Sequence, residues 1–267
     1  MDIKKFMFDE NEKPLDRLPE NGGFCSIFRT IACVGDSLSS GEFQSLDAES
    51  GEYRYHDMYE YSWGQYIARM TGAKVYNFSR GGMTAKEYCE SFAEDNGFWD
   101  ESKKAQCYII ALGVNDLLGQ HMELGSIEDI DMDDCEQNKS TFAGYYGKII
   151  QKYKKIQPNA KFFLTTMPEE EEACNGNGIK ILYNELIYRM AELFDNTYVV
   201  DLYKYAPAFD EEFKKSFYLY GHLNPMGYVL IAKMVASYID YIIRSDLKKF
   251  SQVGFIGTEY YDTKLDN

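Results

Sequence analysis

The chain has 267 residues, 45% hydrophobic and 16% aromatic, enough for one large α/β domain with a substantial core; disordered and fibrous classes are excluded. Its 28 Lys and Arg stand against 43 Asp and Glu, a formal net charge of −15 that repels nucleic acid and anionic bilayers and favours a neutral or cationic small substrate. The first twenty residues lack an apolar signal-like run, no stretch approaches the length of a membrane span, and six cysteines (Cys25, Cys33, Cys89, Cys107, Cys135, Cys174) show no C-x-x-C pairing, so a cytoplasmic protein with free thiols, no zinc site and no membrane insertion is expected.

Residues 1–28 are polar, with Pro14, Pro19 and a Gly22-Gly23 pair, and are expected to form an arm or edge segment on a single domain over 29–267. Ile31–Val34 is apolar throughout, as in a strand buried on both faces, and stops at Gly35-Asp36-Ser37-Leu38. Ligands of open α/β sheets bind beyond the carboxyl ends of the strands, so Ser37 stands where a nucleophile is placed. The same residues are also ordinary turn chemistry. Residues 41–60 read as a long functional loop whose Phe43, Tyr53, Tyr55 and Tyr59 either wall a pocket or cover the core.

A helix over Tyr61–Thr71 ends at Gly72, and Lys74–Phe78 is a second strand. Thr84 with Glu87 makes a capping box for a helix to about Phe92. Gln106–Leu112 is a third strand, ended by Gly113-Val114-Asn115-Asp116. An acidic stretch over 125–138 leads into a helix over Thr141–Ile156, then a fourth strand at Lys161–Thr166. The carboxylate run Glu169–Glu172 reads as solvated surface. A helix at Ile179–Phe194 and a fifth strand at Thr197–Leu202 follow. Tyr203–Leu219 is loop or short helix. Gly221-His222 precedes a long helix from Met226 to about Arg244, with Ile231, Met234, Val235, Tyr238 and Ile242 on one face. Five strands alternating with helices predict a parallel sheet covered on both sides.

Gly35-Asp36-Ser37-Leu38, Asn77 with Gly82, Gly113-Val114-Asn115-Asp116 and the histidine before the last helix occur in that order over about Thr30–Tyr241. Together they resemble the four sequence blocks of the SGNH/GDSL hydrolase family. The resemblance implies a three-layer α/β/α sandwich, flavodoxin-like, with a five-stranded parallel sheet. It implies a serine esterase or acylhydrolase acting on a small or carbohydrate-linked acyl group, without metal or organic cofactor. Ser37 would be the nucleophile, and the Ser37 N–H, the Gly82 N–H and the Asn115 side chain the oxyanion hole. Gly82 and Asn115-Asp116 taken alone are also what turns and helix caps contain, and Asp36 and Asp116 read as loop-holding carboxylates.

Nucleophilic serine needs a neighbouring base, and imidazole titrates near neutrality. Of the three histidines, His56 sits in an acidic aromatic loop and His121 in a polar segment, leaving His222. An α/β-hydrolase elbow would need glycine at position 39, which is Ser39, and no G-x-G-x-x-G follows the first strand. The expected partner is a soluble small-molecule ester, an acetylated sugar among the choices, with Tyr55, Tyr218 and Tyr220 available to stack on it. Rival readings are an inactive binding module of the same fold and an acyltransferase.

One position departs from the family pattern: the aspartate three residues before the histidine is Leu219. A triad carboxylate holds the imidazole tautomer and steadies the imidazolium. Three outcomes stay open. In the favoured one a main-chain carbonyl such as that of Leu219 completes a Ser37–His222 dyad. In the second a carboxylate among Asp201, Asp210, Glu211 and Glu212 substitutes, and in the third hydrolysis is lost.

Overall fold

The computed structural model describes residues 3–9, 11–170 and 177–265. The strands in chain order are β1 (Thr30–Gly35), β2 (Glu42–Leu46), β3 (Tyr53–Asp57), β4 (Lys74–Ser79), β5 (Cys107–Ala111), β6 (Lys161–Thr165), β7 (Thr197–Val200), β8 (Tyr218–Leu219) and β9 (His222–Leu223). The four longest helices are α1 (Trp63–Thr71), α2 (Phe142–Ile156), α3 (Asn177–Leu193) and α4 (Pro225–Ser245). Strands β4-β1-β5-β6-β7 form one parallel sheet, so its members lie in the order 2-1-3-4-5 of the flavodoxin-like doubly wound arrangement.

Alternation along the strands sorts the core into two layers. Ile31, Cys33, Cys107, Ile109 and Phe163 pack with α1 and α4, while Ala32, Val34, Tyr108, Ile110, Phe162 and Leu164 pack with α2 and α3. Each fully buried Ile or Phe contributes about 1.5–3 kcal/mol of apolar transfer, so the sheet is held rigidly from both faces. α4 is long and apolar enough to cross a membrane by length and composition, contrary to the sequence-based expectation that no stretch approaches that length. It lies packed on the sheet as a core helix, with Ile231, Val235, Ile239 and Ile243 buried.

The N-terminal residues are strapped to α4. Arg244 bonds Glu12 at 2.5 Å, Asp240 at 2.8 Å and the Met7 carbonyl at 2.7 Å, and the Phe24 N–H donates to Asp240 at 2.7 Å. Among the described cysteines Cys25, Cys33 and Cys107 are buried free thiols. Cys174, and Glu171 and Glu172 of the carboxylate run, lie outside the described residues.

Three segments differ from expectation. Residues 41–60 are not a loop but the antiparallel hairpin β2–β3, turned at Gly51. The helix beginning at Thr84 runs as a short α-turn over Ala85–Glu87, a wider turn over Tyr88–Phe92 and a last turn to Asp95. The stretch before His222 holds two short helices, Leu202–Tyr205 and Glu211–Phe217, and then the tight hairpin β8–β9.

Candidate active site

The site lies at the carboxyl end of the sheet. β1 ends at Gly35, where a Cβ would stand 2.2 Å from Ser39 Oγ and 3.0 Å from the Ala111 carbonyl oxygen, so only glycine lets the chain bend against β5. Asp36 then caps the turn Ser37–Ser40, accepting from the Leu38 N–H at 3.1 Å while its carbonyl accepts from Ser39 and Ser40. Burial pushes the Asp36 carboxyl up to about 7, against the Leu38 N–H that lowers it and with Asp116 raising it further. Its geometry is that of a turn cap.

Ser37 follows half-buried at the first helical position, and neither its N–H nor its hydroxyl donates a hydrogen bond within the described residues. The second turn, Arg80–Met83, is anchored to the first through the Arg80 N–H and the Gly35 carbonyl at 3.4 Å. Gly82 there has φ +70, a left-handed conformation that disfavours other residues although its missing Cβ faces open space. Its N–H is likewise undonated among the described residues.

Asn115 opens the turn after β5 and donates one amide hydrogen to the Met83 carbonyl at 3.1 Å, leaving the other hydrogen for a ligand. Asp116, fully buried, accepts the Ala85 N–H at 2.9 and 3.1 Å and so ties the Asn115 turn to the helix after Gly82. Burial pushes its carboxyl up to about 6, offset by the Ala85 and Lys86 N–H groups.

His222 comes from β9, directly opposite Leu219 of β8, with Tyr220 at φ 58 in the turn. A cleft of about 460 Å³ brings together Ser37, Asn115 and His222, with Met167, Pro168, Phe209 and Tyr218 as apolar wall and Lys214 at its edge. Gly82 does not line that cleft; it stands beside it, in the turn next to the Ser37 turn. Ser37 Oγ and His222 share the cleft without a hydrogen bond between them. In ligand-free sites such bonds are often long and tighten on substrate.

The Leu219 side chain is exposed, and no carbonyl accepts from His222 Nδ1, which is buried without a hydrogen-bond partner. The four carboxylates expected as substitutes lie elsewhere. Asp201 accepts from Thr166 Oγ1 at 3.0 Å and Tyr188 at 2.6 Å, Asp210 caps the helix at Glu211–Phe217, Glu211 pairs with Lys215, and Glu212 is exposed. The carboxylate that meets the ring is Glu42, whose Oε1 lies 3.1 Å from Nε2, both side chains largely buried.

Glu42 escapes a reading that takes residues 41–60 as loop. The signal is the period of two. Glu42, Gln44, Tyr53, Tyr55 and Asp57 all share one face of the β2–β3 hairpin. That face lies on the β8–β9 hairpin: Gln44 accepts the Gly221 N–H at 2.6 Å, Tyr53 meets Tyr220 ring to ring at 5.5 Å, and Tyr55 meets His222 edge-on at 5.7 Å. His56, on the other face, bonds Ser45 at 2.8 Å, and His121 is an exposed turn residue. Phe43 packs on Tyr61 and Tyr228, and Tyr59 bonds the Val75 carbonyl, so neither walls the cleft.

Burial pulls the His222 imidazole below its ordinary value, and burial first, then Asp57, holds Glu42 above the ordinary carboxylate range. A neutral imidazole near pH 7 is the form that accepts a proton.

The model of the GDSL-like lipase/acylhydrolase family matches residues 33–230. No curated protein sequence matches the chain. Among solved structures, a Lactobacillus plantarum protein superposes with a TM-score of 0.59 at 18% identity over 80% of this chain and 97% of that one. A family two carbohydrate esterase from Clostridium thermocellum, in complex with cellohexaose, gives 0.56 at 17% identity over 89% of this chain and 66% of its own. The acetyl xylan esterase AlAXEase gives 0.52 at 20% identity over 79% and 99%.

Proposed function

The chain belongs to the GDSL-like lipase/acylhydrolase family and is a carboxylic ester hydrolase, and from that premise we propose that it removes a small acyl group from a soluble carbohydrate ester, using Ser37 and His222. The observation that carries this reading is the convergence of Ser37, His222 and Asn115 on one cleft beside two unused backbone N–H groups, those of Ser37 and Gly82.

His222 takes the Ser37 hydroxyl proton as Oγ attacks the ester carbonyl carbon. The carbonyl oxygen becomes an oxyanion, met by the Ser37 and Gly82 N–H groups and the second amide hydrogen of Asn115. The tetrahedral intermediate collapses, the alcohol leaves with the proton from His222, and the acyl group stays on Ser37. Water then attacks the acyl carbonyl, giving its proton to His222. The second collapse releases the carboxylic acid and returns the proton to Ser37.

Support for a sugar on the alcohol side comes from the exposed Tyr53, Tyr55 and Tyr220 at the cleft's edge, flat apolar faces on a strongly acidic protein. Two of the similar folds bear the names carbohydrate esterase and acetyl xylan esterase.

The test is intact-mass analysis after fluorophosphonate exposure, followed by turnover of p-nitrophenyl acetate and acetylated xylo-oligosaccharides. One adduct on the parent, absent in Ser37→Ala and strongly slowed in His222→Ala, is expected, with kcat falling about 10⁴-fold or more in either variant. An unlabelled parent that still binds acetylated oligosaccharide would replace this reading with a non-catalytic binding module.

A further inference from the structure

We propose that Glu42, delivered by the β2–β3 hairpin, is the positioning carboxylate of the site, holding His222 in place of the missing aspartate at Leu219. This rests on the esterase reading above. An acyl-transfer base needs one ring nitrogen fixed as a donor so that the other keeps its lone pair for the nucleophile's proton. Glu42 Oε1 takes Nε2–H at 3.1 Å, which leaves Nδ1 as the lone-pair nitrogen, and Nδ1 is the buried atom without a partner.

The carboxylate is held from three sides. The Tyr228 hydroxyl donates to the Glu42 carbonyl at 2.6 Å and reaches the Ser37 carbonyl at 3.4 Å, fixing the start of β2 to α4 and to the nucleophile turn at once. Gly81 lies beneath the second oxygen: a Cβ there would stand 1.9 Å from Glu42 Oε2. Across the hairpin Asp57 is paired in register with Glu42, and Ser40 Oγ donates to Asp57 at 3.1 Å. Side chains of Glu42 and His222 are only 13% and 15% exposed, so water competes poorly for the contact.

The titratable groups around the pair are Asp57 from β3, Asp36 from the nucleophile turn, the phenols of Tyr55, Tyr218 and Tyr228, and Lys214 at the cleft edge. Glu42 differs from all of them in touching the ring with a carboxylate. As the imidazolium forms, an ionised Glu42 stabilises it, and substrate pressing on the hairpin's tyrosines acts on the same strand that carries the carboxylate.

The experiment compares parent, Glu42→Gln, Glu42→Ala and Glu42→Asp by p-nitrophenyl acetate turnover across pH, with and without added formate, and by thermal melting. Glu42→Gln is expected to lose about 10²–10⁴-fold in kcat with KM little changed, by analogy with the trypsin triad aspartate. Its acid limb should move to lower pH, because removing the anion lowers the imidazole pKa and the neutral base survives further into acid. Formate should restore part of the Glu42→Ala rate, and Glu42→Asp should retain more than either.

A Glu42→Gln enzyme within about threefold of the parent and with an unmoved acid limb overturns the proposal while leaving the esterase reading intact. So does a loss in Glu42→Ala that neither formate nor Glu42→Asp recovers, which would make Glu42 a packing residue of the hairpin. Nitrogen-15 NMR of His222 reads the same contact without turnover: a proton fixed on Nε2 in the parent and distributed over both nitrogens in Glu42→Ala is expected. An unchanged tautomer overturns the proposal even if the parent proves inactive.

Discussion

Ser37, Gly82 and Asn115 stand at the ends of three neighbouring strands of one parallel sheet, whereas Glu42 and His222 stand on two small hairpins that rest on each other outside it. The first group inherits its positions from a sheet packed on both faces, and buried carboxylates tie its turns together: Asp36 within the nucleophile turn, Asp116 across to Ala85. The second group is held by a few side-chain contacts, Gln44 to Gly221, Tyr53 to Tyr220, Glu42 to His222, with β3 exposed along its length. Transition-state stabilisation by fixed dipoles demands little reorganisation, and the sheet end supplies that. Proton transfer tolerates and uses a part that moves with substrate.

The largest effect should come from the rigid half. Asn115→Ala removes an oxyanion donor and also releases the Met83 carbonyl that its amide holds. A fall of about 10²–10³ in kcat with KM nearly unchanged is expected, measured on p-nitrophenyl acetate. If KM rises and kcat holds, Asn115 binds ground-state substrate, and the rigid half is a binding surface instead of an oxyanion site.

The same division explains what can be read from the residues alone. The buried runs at Ile31–Val34 and Gln106–Leu112 are continuous apolar strands, and each is closed by a glycine-containing turn, so the ends that carry Ser37 and Asn115 are legible without coordinates. Glu42 and the face it shares with Gln44, Tyr55 and Asp57 are not. Their hairpin is polar on both faces, so the alternation carries no hydrophobic contrast, and its pairing to β8–β9 is a contact between segments about 180 residues apart. A replacement for the carboxylate missing at Leu219 is naturally sought near His222 in sequence, among Asp201 to Glu212, whereas the fold supplies it from just past the nucleophile.

A smaller effect should separate the halves from the side of the mobile one. Gly81→Ala leaves Ser37, Gly82 and Asn115 untouched but drives a methyl toward Glu42 Oε2. Gly81 has no left-handed backbone to strain, so the Glu42 carboxylate must shift. A displacement of that size at a positioning group costs on the order of 10²-fold in kcat, without loss of fluorophosphonate-competent folding by thermal melt. A Gly81→Ala enzyme with parental kcat would mean that the hairpin yields and carries its carboxylate along, and that the contact with His222 is not sharply set.

The smallest effect tests whether the hairpin also reads the sugar. Tyr55 is unsuitable, because it touches His222 and its loss would disturb the base. Tyr53 is exposed and meets only the rim through Tyr220, so Tyr53→Ala alters the edge of the cleft and spares the ring. One aromatic stacking contact is worth about 0.5–1.5 kcal/mol, which is a rise of roughly 2- to 12-fold in KM for an acetylated xylo-oligosaccharide. Activity on p-nitrophenyl acetate, too short to reach the rim, should be unchanged. Equal losses on both substrates would place Tyr53 in the support of the hairpin, and the acceptor side of the ester would then have to lie across the cleft, toward Lys214 and Phe209.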